Sequence, residues 1–243
     1  MTGEPLILSI ETATLAGSIA VYRGAESLGS SVGDPSTSHS NTLLADIDKL
    51  LAELTIAIRD VDLFAVASGP GSFTGLRIGI ASVKALAVTL DRPCIGIPTL
   101  EAIAHSAGES KYTVSMLPAG RGEVFAQMFS VSATDAVMAL DEPVHLPPAQ
   151  VVAKYTEFAD VHWTGDGAIQ HEALIAEAAA KGNYLFINSD DYQSPGWKIV
   201  RVNSILARNV AQLALARMVQ AKEHTANDLR ALYVRPSDAE LKH

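Results

Sequence analysis

The chain opens on three short segments rich in apolar and β-branched residues, Leu6 to Ile10, Ser18 to Tyr22 and Ser27 to Val32, punctuated by Gly17, Gly24 and Gly33. Glycine breaks at that tempo predict three antiparallel strands in a meander. The period then changes. Leu43, Leu44, Ile47, Leu50, Leu51 and Leu54 recur at spacings of three and four, the stripe of an amphipathic helix, with Ser38 or Ser40 as candidate N-cap. Leu63 to Ala67 is unbroken apolar chain, the pattern of a strand buried on both faces. Ser68-Gly-Pro-Gly71 ends it ahead of a second helix marked by Leu76, Ile80, Val83, Ala87 and Leu90. Pro93 to Ile97 supplies a further strand. Strands and helices in alternation predict parallel neighbours joined by right-handed crossovers, so the first hundred residues read as one mixed-sheet α/β lobe.

Strand patterning returns at Tyr112 to Leu117 and Glu123 to Val131, separated by the turn composition Pro-Ala-Gly-Arg-Gly. A Pro-rich stretch (Pro143, Pro147, Pro148), a short strand at Val161 to Trp163, the turn Gly165-Asp-Gly167 and a helix from Ala168 to Lys181 complete a smaller lobe. Val202, Ile205, Leu206, Val210 and Leu213 then fall at helical spacings. The expected organisation is a first lobe at 1–104, a second at 105–197, a return helix from 198 to 222 packing on the first lobe or between the two, and an extended tail at 223–243. Two lobes that each open on a strand pair, followed by a return helix, predict an α/β duplicated ribonuclease-H-like fold. That fold is shared by actin, sugar kinases and Hsp70, each with two lobes built on mixed sheets.

Composition agrees with a folded chain of 243 residues: 48% hydrophobic, 19% charged and free of low-complexity tracts. The formal net charge of −9 sets the average field against phosphate backbones and anionic membranes. Arg201, Arg208 and Arg217 come nearest to a basic cluster and read as the solvated face of the last helix. The single cysteine, Cys94, excludes an intrachain disulfide and fits a reducing, cytoplasmic home. No basic segment followed by an apolar core stands at the N-terminus, and no uninterrupted apolar run reaches the ~18 residues of a membrane span, so no membrane partner is expected.

The glycine-rich segment after Ala67 is the strongest local feature, and three readings of it compete. A strand-to-helix turn can cradle a phosphate on free N–H groups at the positive end of a helix, which would place Gly69, Gly71, Ser72 and Thr74, with Glu11, beside a nucleotide. Both nucleotide fingerprints nevertheless fail, because Thr74 stands where each requires a glycine and no Gly-Lys-[Ser/Thr] follows. It can instead be a tight turn, with Pro70 fixing φ. Thirdly, Gly75, Gly79 and Ser82 leave one face of the second helix nearly bare, open to close approach by another helix. Glu11, at the end of the first strand, reads more readily as a turn or capping residue than as a metal partner, because no carboxylate opposes it before Glu123 in the second lobe. His39 reads as part of a polar helix start, and Cys94 as a buried hydrophobe. Seven histidines show no zinc spacing, and no Gly-x-Ser-x-Gly elbow is present.

Ser68-Gly-Pro-Gly-Ser-Phe-Thr-Gly-Leu-Arg-Ile-Gly79 resembles the signature of the TsaB family of tRNA threonylcarbamoyladenosine biosynthesis proteins. The likeness extends to Ile7-Leu-Ser-Ile-Glu-Thr-Ala-Thr14, His39, Ile95-Gly-Ile-Pro-Thr-Leu100, Arg121-Gly-Glu-Val124, Gly165-Asp-Gly167 and Tyr233-Val-Arg235. Two departures stand out: Glu11 where the family usually has Asp, and Pro118-Ala-Gly120-Arg121 where it has Asp-Ala-Arg. The resemblance implies an actin-like fold without a working active site of its own. Such a subunit pairs with a TsaD-like catalytic subunit and a TsaE-like ATPase, forms homodimers, and meets tRNA only through the complex. It implies no cofactor in the isolated chain, ATP and magnesium belonging to the complex. It also implies a partner interface on the first two helices, assigned to Leu43, Leu44, Ile47, Ser72, Phe73, Gly75, Leu76, Gly79, Ser82 and Val83. The competing class is an ATP-handling enzyme of the actin-like fold.

Overall fold

A computed structural model describes residues 3–34, 39–187, 194–201, 205–220 and 225–234. The chain divides into two units, one of residues 1–102 with 204–233 and one of 103–203 with the last residues.

Unit 1 begins with the meander β1 (Leu6–Glu11), β2 (Ser18–Arg23) and β3 (Glu26–Val32), followed by α1 (His39–Glu53), β4 (Leu63–Gly69), α2 (Phe73–Leu90), β5 (Cys94–Pro98) and the start of α3 (Thr99–Ser106). The sheet order is β3-β2-β1-β4-β5, antiparallel through the meander and parallel from β1 to β4 to β5. Every residue of β1 and β4 is buried, as a strand covered on both faces requires. Leu6, Leu8 and Ile10 join Ile47, Leu50, Val66, Ile80 and Val83 in one core with the helices. α2 is 18 residues long with a mean hydropathy of 1.4, long and apolar enough to cross a membrane; it is a core helix that packs on β4.

Unit 2 carries β6 (Ser110–Gly120), β7 (Glu123–Val131), β8 (Val137–Ala139), β9 (Val144–Leu146), α4 (Pro148–Lys154), β10 (Val161–Thr164), α5 (Asp166–Gln170), α6 (Glu172–Lys181), β11 (Phe186–Ile187) and β12 (Trp197–Val200). Its sheet runs β11-β12-β10-β6-β7-β8, with β9 also on β7. The β6–β7 hairpin closes on Arg121 and Gly122, at φ +54° and +79°, the paired left-handed residues that match strand twist in a two-residue turn. Trp163 and Trp197, 5.1 Å apart, centre its core with Tyr155, Met116 and Ile175.

Four expectations change. The return helix α7 spans Leu206–Gln220, not 198–222, because Trp197–Val200 pairs in parallel with Val161–Thr164 as a strand of the second sheet. A four-residue apolar run carries no periodicity that separates strand from helix. The helix expected over Ala168–Lys181 is two helices broken at His171, whose backbone leaves the helical region at φ −113°, ψ 22°. The Pro-rich stretch contains α4, with Pro148 at the first helical position where its fixed φ is an asset. Arg201 and Arg208 are exposed, as a solvated face requires, whereas Arg217 is half-buried. Arg217 forks onto Glu101 at 2.6 and 2.7 Å, Arg208 donates to Ser30 Oγ, and Arg201, outside α7, pairs with Glu172.

α7 covers the sheet of unit 1, and buried Ala207, Ala211 and Ala214 let it approach closely. Ser9 Oγ donates to Ala207 C=O at 2.7 Å, and Ala207 N–H donates to Ser18 Oγ, so the start of α7 is tied to β1 and β2. Ser38, Val202, Arg235 and the tail beyond it lie outside the described residues, as does the side chain of His39.

Candidate functional site

β4 ends where the chain must turn sharply under other backbone. Gly69 sits at φ +113°, and its N–H donates to Thr99 Oγ1 at 3.2 Å. A β-carbon on Gly69 would lie 2.5 Å from the Leu232 carbonyl oxygen, and one on Gly71 would lie 2.6 Å from that of Ala13. Only glycine admits such approach. Ser72 then caps α2, its Oγ accepting from Gly75 N–H at 3.2 Å, while Ser72 N–H donates to Ala13 C=O at 2.8 Å. The N–H groups of Gly69, Ser72 and Gly75 are therefore spent inside the chain.

Glu11 is equally committed. It is 1% exposed, and its carboxylate accepts from Thr14 N–H at 2.6 Å, Thr14 Oγ1 at 2.8 Å and Ser18 Oγ at 3.4 Å. It closes the β1–β2 turn, the capping role that its position predicts. Glu11, Asp34 and Asp46 border a shallow depression with Thr12, Ser31 and Thr42, and among the described residues no group of three or more histidine, cysteine or carboxylate side chains is arranged to hold a metal.

The bare face of α2 does not point outward. A β-carbon on Gly75 would meet the Thr12 carbonyl oxygen at 1.9 Å, one on Gly79 would meet Thr12 Oγ1 at 2.3 Å, and Thr12 Oγ1 donates to Gly75 C=O at 2.8 Å. The small residues thus seat α2 on the end of β1. Gly75, Leu76, Gly79 and Val83 of α2, with Leu43 and Ile47 of α1, are buried and correct the expected interface. The physical reason is that the space left by the glycines is already filled by the chain's own Thr12. Of the other expected residues, Leu44 is 60% and Phe73 37% exposed, Ser72 and Thr74 are exposed, and Ser82 is half-buried.

The opposite face of α2 was not singled out by sequence reasoning. Arg77, Ala81, Ala85 and Val88 are exposed at spacings of three and four, and Val88 is 70% exposed. Helical periodicity located the stripe of Leu76, Ile80 and Val83 but did not decide between the glycine-bare face and this one as the outward surface. Cys94 is buried, and that burial pushes its thiol pKa up, as expected of a packed, unreactive sulfur.

The family described as TsaD, tRNA N6-adenosine threonylcarbamoyltransferase, matches residues 34–237 of this chain. The chain belongs to that family. It is 34% identical over 123 residues to the tRNA threonylcarbamoyladenosine biosynthesis protein TsaB of Haemophilus influenzae, a match covering 49% of this chain and 51% of the relative. The chain thus matches about half the length of the curated TsaB relatives. YeaZ from Pseudomonas aeruginosa superposes with a TM-score of 0.74 at 23% identity, covering 94% of this chain and 99% of that one. A ROK hexokinase from Thermus thermophilus superposes at 0.54 and 10% identity, covering 89% and 100%. These two likenesses establish the actin-like fold expected from the order of elements.

Proposed function

We propose that this chain is a non-catalytic subunit of the tRNA N6-threonylcarbamoyladenosine machinery. It docks on and activates the related TsaD-like catalytic subunit, which transfers the threonylcarbamoyl group to the adenosine beside the anticodon. A TsaE-like ATPase joins the pair, and the complex works in the cytoplasm. The observation that carries this reading is an asymmetry in unit 1. On the side of the glycine-rich turn, Glu11 and the N–H groups of Gly69, Ser72 and Gly75 are taken up by bonds within the chain. The outward face of α2, by contrast, presents Ala81, Ala85 and Val88, and Leu44 stands exposed on the neighbouring helix α1. Small and apolar exposed residues on packed helices favour docking of another helical surface. Kinship with the transferase family supports a related chain as the partner, and the tRNA-modification name of the TsaB relatives supports the pathway.

In this reading the isolated chain needs no cofactor, and ATP and magnesium bind in the assembled complex. Co-purification with the related catalytic subunit tests it. Ala85→Arg, on the exposed face, should abolish the complex while leaving the fold intact, and full retention of the complex would sink this docking face. Calorimetry with ATP and magnesium tests the competing ATPase reading, which tight binding by the isolated chain would favour.

A further inference from the structure

Beyond α7 the chain returns to the glycine-rich turn. Thr225 N–H and Oγ1 donate to Asp228 Oδ2, which shapes a turn, and Leu229 then enters the core of unit 1 at 4% exposure. Its side chain lies over Gly96, where a β-carbon would come within 2.8 Å of Leu229 Cδ1. Leu232 N–H donates to Ser68 C=O at 2.7 Å, and its carbonyl presses on Gly69. Leu229–Tyr233 is therefore a strap, anchored by one buried side chain and by backbone contact with the end of β4.

The anchors leave two large side chains of the strap in solvent. Leu232 is 37% and Tyr233 45% exposed, and Tyr233 lies against Phe73, itself 37% exposed, with ring centroids 5.5 Å apart. Arg77 stacks on Phe73 at 3.8 Å. No carboxylate among the described residues pairs with Arg77, so its guanidinium is held by a ring with its donors turned to water or to a partner. Apolar surface is thus left exposed next to an ordered, unpaired cation, and both lie at the first turns of the helix whose outward face continues through Ala81, Ala85 and Val88.

We propose that Leu232 and Tyr233 of the strap, with Phe73 and Arg77, form a second contact region for the related catalytic subunit, one that takes an apolar side chain flanked by a carboxylate. The inference rests on the docking reading of α2 and extends that surface to the C-terminal segment. Exposed aromatic and arginine side chains held in place before binding are the residue types on which interface affinity concentrates. The unpaired guanidinium requires an acidic group on the partner, because burying it alone would cost more than the apolar contact returns.

Titration calorimetry of the full chain with the purified catalytic subunit provides the test. Tyr233→Ala and Arg77→Glu should each weaken binding by about tenfold or more, the range of a central interface contact. Tyr233→Phe, which keeps the ring, should bind as the unaltered chain, and the melting temperature of the Arg77 variant should not move. Unaltered affinity in both Tyr233→Ala and Arg77→Glu, where Ala85→Arg abolishes binding, would overturn the strap inference and leave the α2 reading standing. Loss of binding in Tyr233→Ala with Ala85→Arg unaffected would sink the α2 face and keep the strap as the contact. Loss of self-association with an unaltered heterocomplex would show that a second copy of this chain is the occupant, and overturn the assignment.

Discussion

Gly75 shows how a single residue changes meaning between sequence and structure. On a helix its lack of a side chain costs about 1 kcal/mol relative to alanine. Here a β-carbon would lie 1.9 Å from the Thr12 carbonyl oxygen, a backbone atom fixed by the end of β1. The clash should outweigh the gain in helix propensity, so Gly75→Ala is expected to destabilise unit 1 by about 2 kcal/mol or more, read as a lower urea midpoint. Gly79→Ala meets the Thr12 hydroxyl at 2.3 Å, a side-chain atom that can rotate, and should cost less. Glu11 is the opposite case. Its role as a turn-closing carboxylate was legible because no second carboxylate opposed it, and its bonds to Thr14 and Ser18 supply the geometry.

At the scale of elements, pairing of β10 with β12 sets His162 opposite Lys198 inside the sheet of unit 2. Lys198 is 1% exposed, with Nζ donating to Ser194 C=O at 2.7 Å and lying 3.7 Å from Asp160 Oδ1. Burial, and then the Lys198 charge, lower the His162 pKa to about 4, against the pull of Asp160. The unfolded chain takes up a proton near pH 6.5 that the folded chain refuses until about pH 4. Stability should therefore fall as pH drops through that window, by up to about 3 kcal/mol. Urea unfolding at pH 7 and pH 4.5 checks this: His162→Gln should lose less stability over the interval than the unaltered chain, and an equal loss would contradict the assignment. Sequence patterning found β10 but placed β12 at the start of a helix, since the apolar run Trp197 to Val200 is too short to display a period and its identity follows from the neighbour it pairs with.

The charge of the whole molecule bears on the role proposed for it. With a net charge of −9 the chain repels a polyanion on average, and Arg208 and Arg217 are engaged with Ser30 and Glu101. The isolated chain is accordingly expected to retain no tRNA at physiological salt in a filter-binding assay, and in the proposed complex the basic surface would have to come from the partner. A saturable complex with the chain alone would reverse that division of labour.

Sequence alone determined the meander, the alternation of β4, α2 and β5, the return helix, and hence the actin-like class, because each rests on a repeating pattern of apolar residues or on glycine punctuation. It also placed a break from strand to helix at Ser68 to Gly79, with the use of that turn left open among three readings. Which face of that helix looks outward was beyond it. A glycine-bare face is equally suited to a partner helix and to the chain's own backbone, and periodicity reports two opposite faces without saying which is covered. The arrival of Thr12 against Gly75 and Gly79 decided the matter, turning the bare face inward and leaving Ala81, Ala85 and Val88 exposed. The strap lay further still from local pattern, since Leu229 and Leu232 meet Gly96 and Gly69 across more than a hundred residues of intervening chain, and only the closed tertiary structure brings them together.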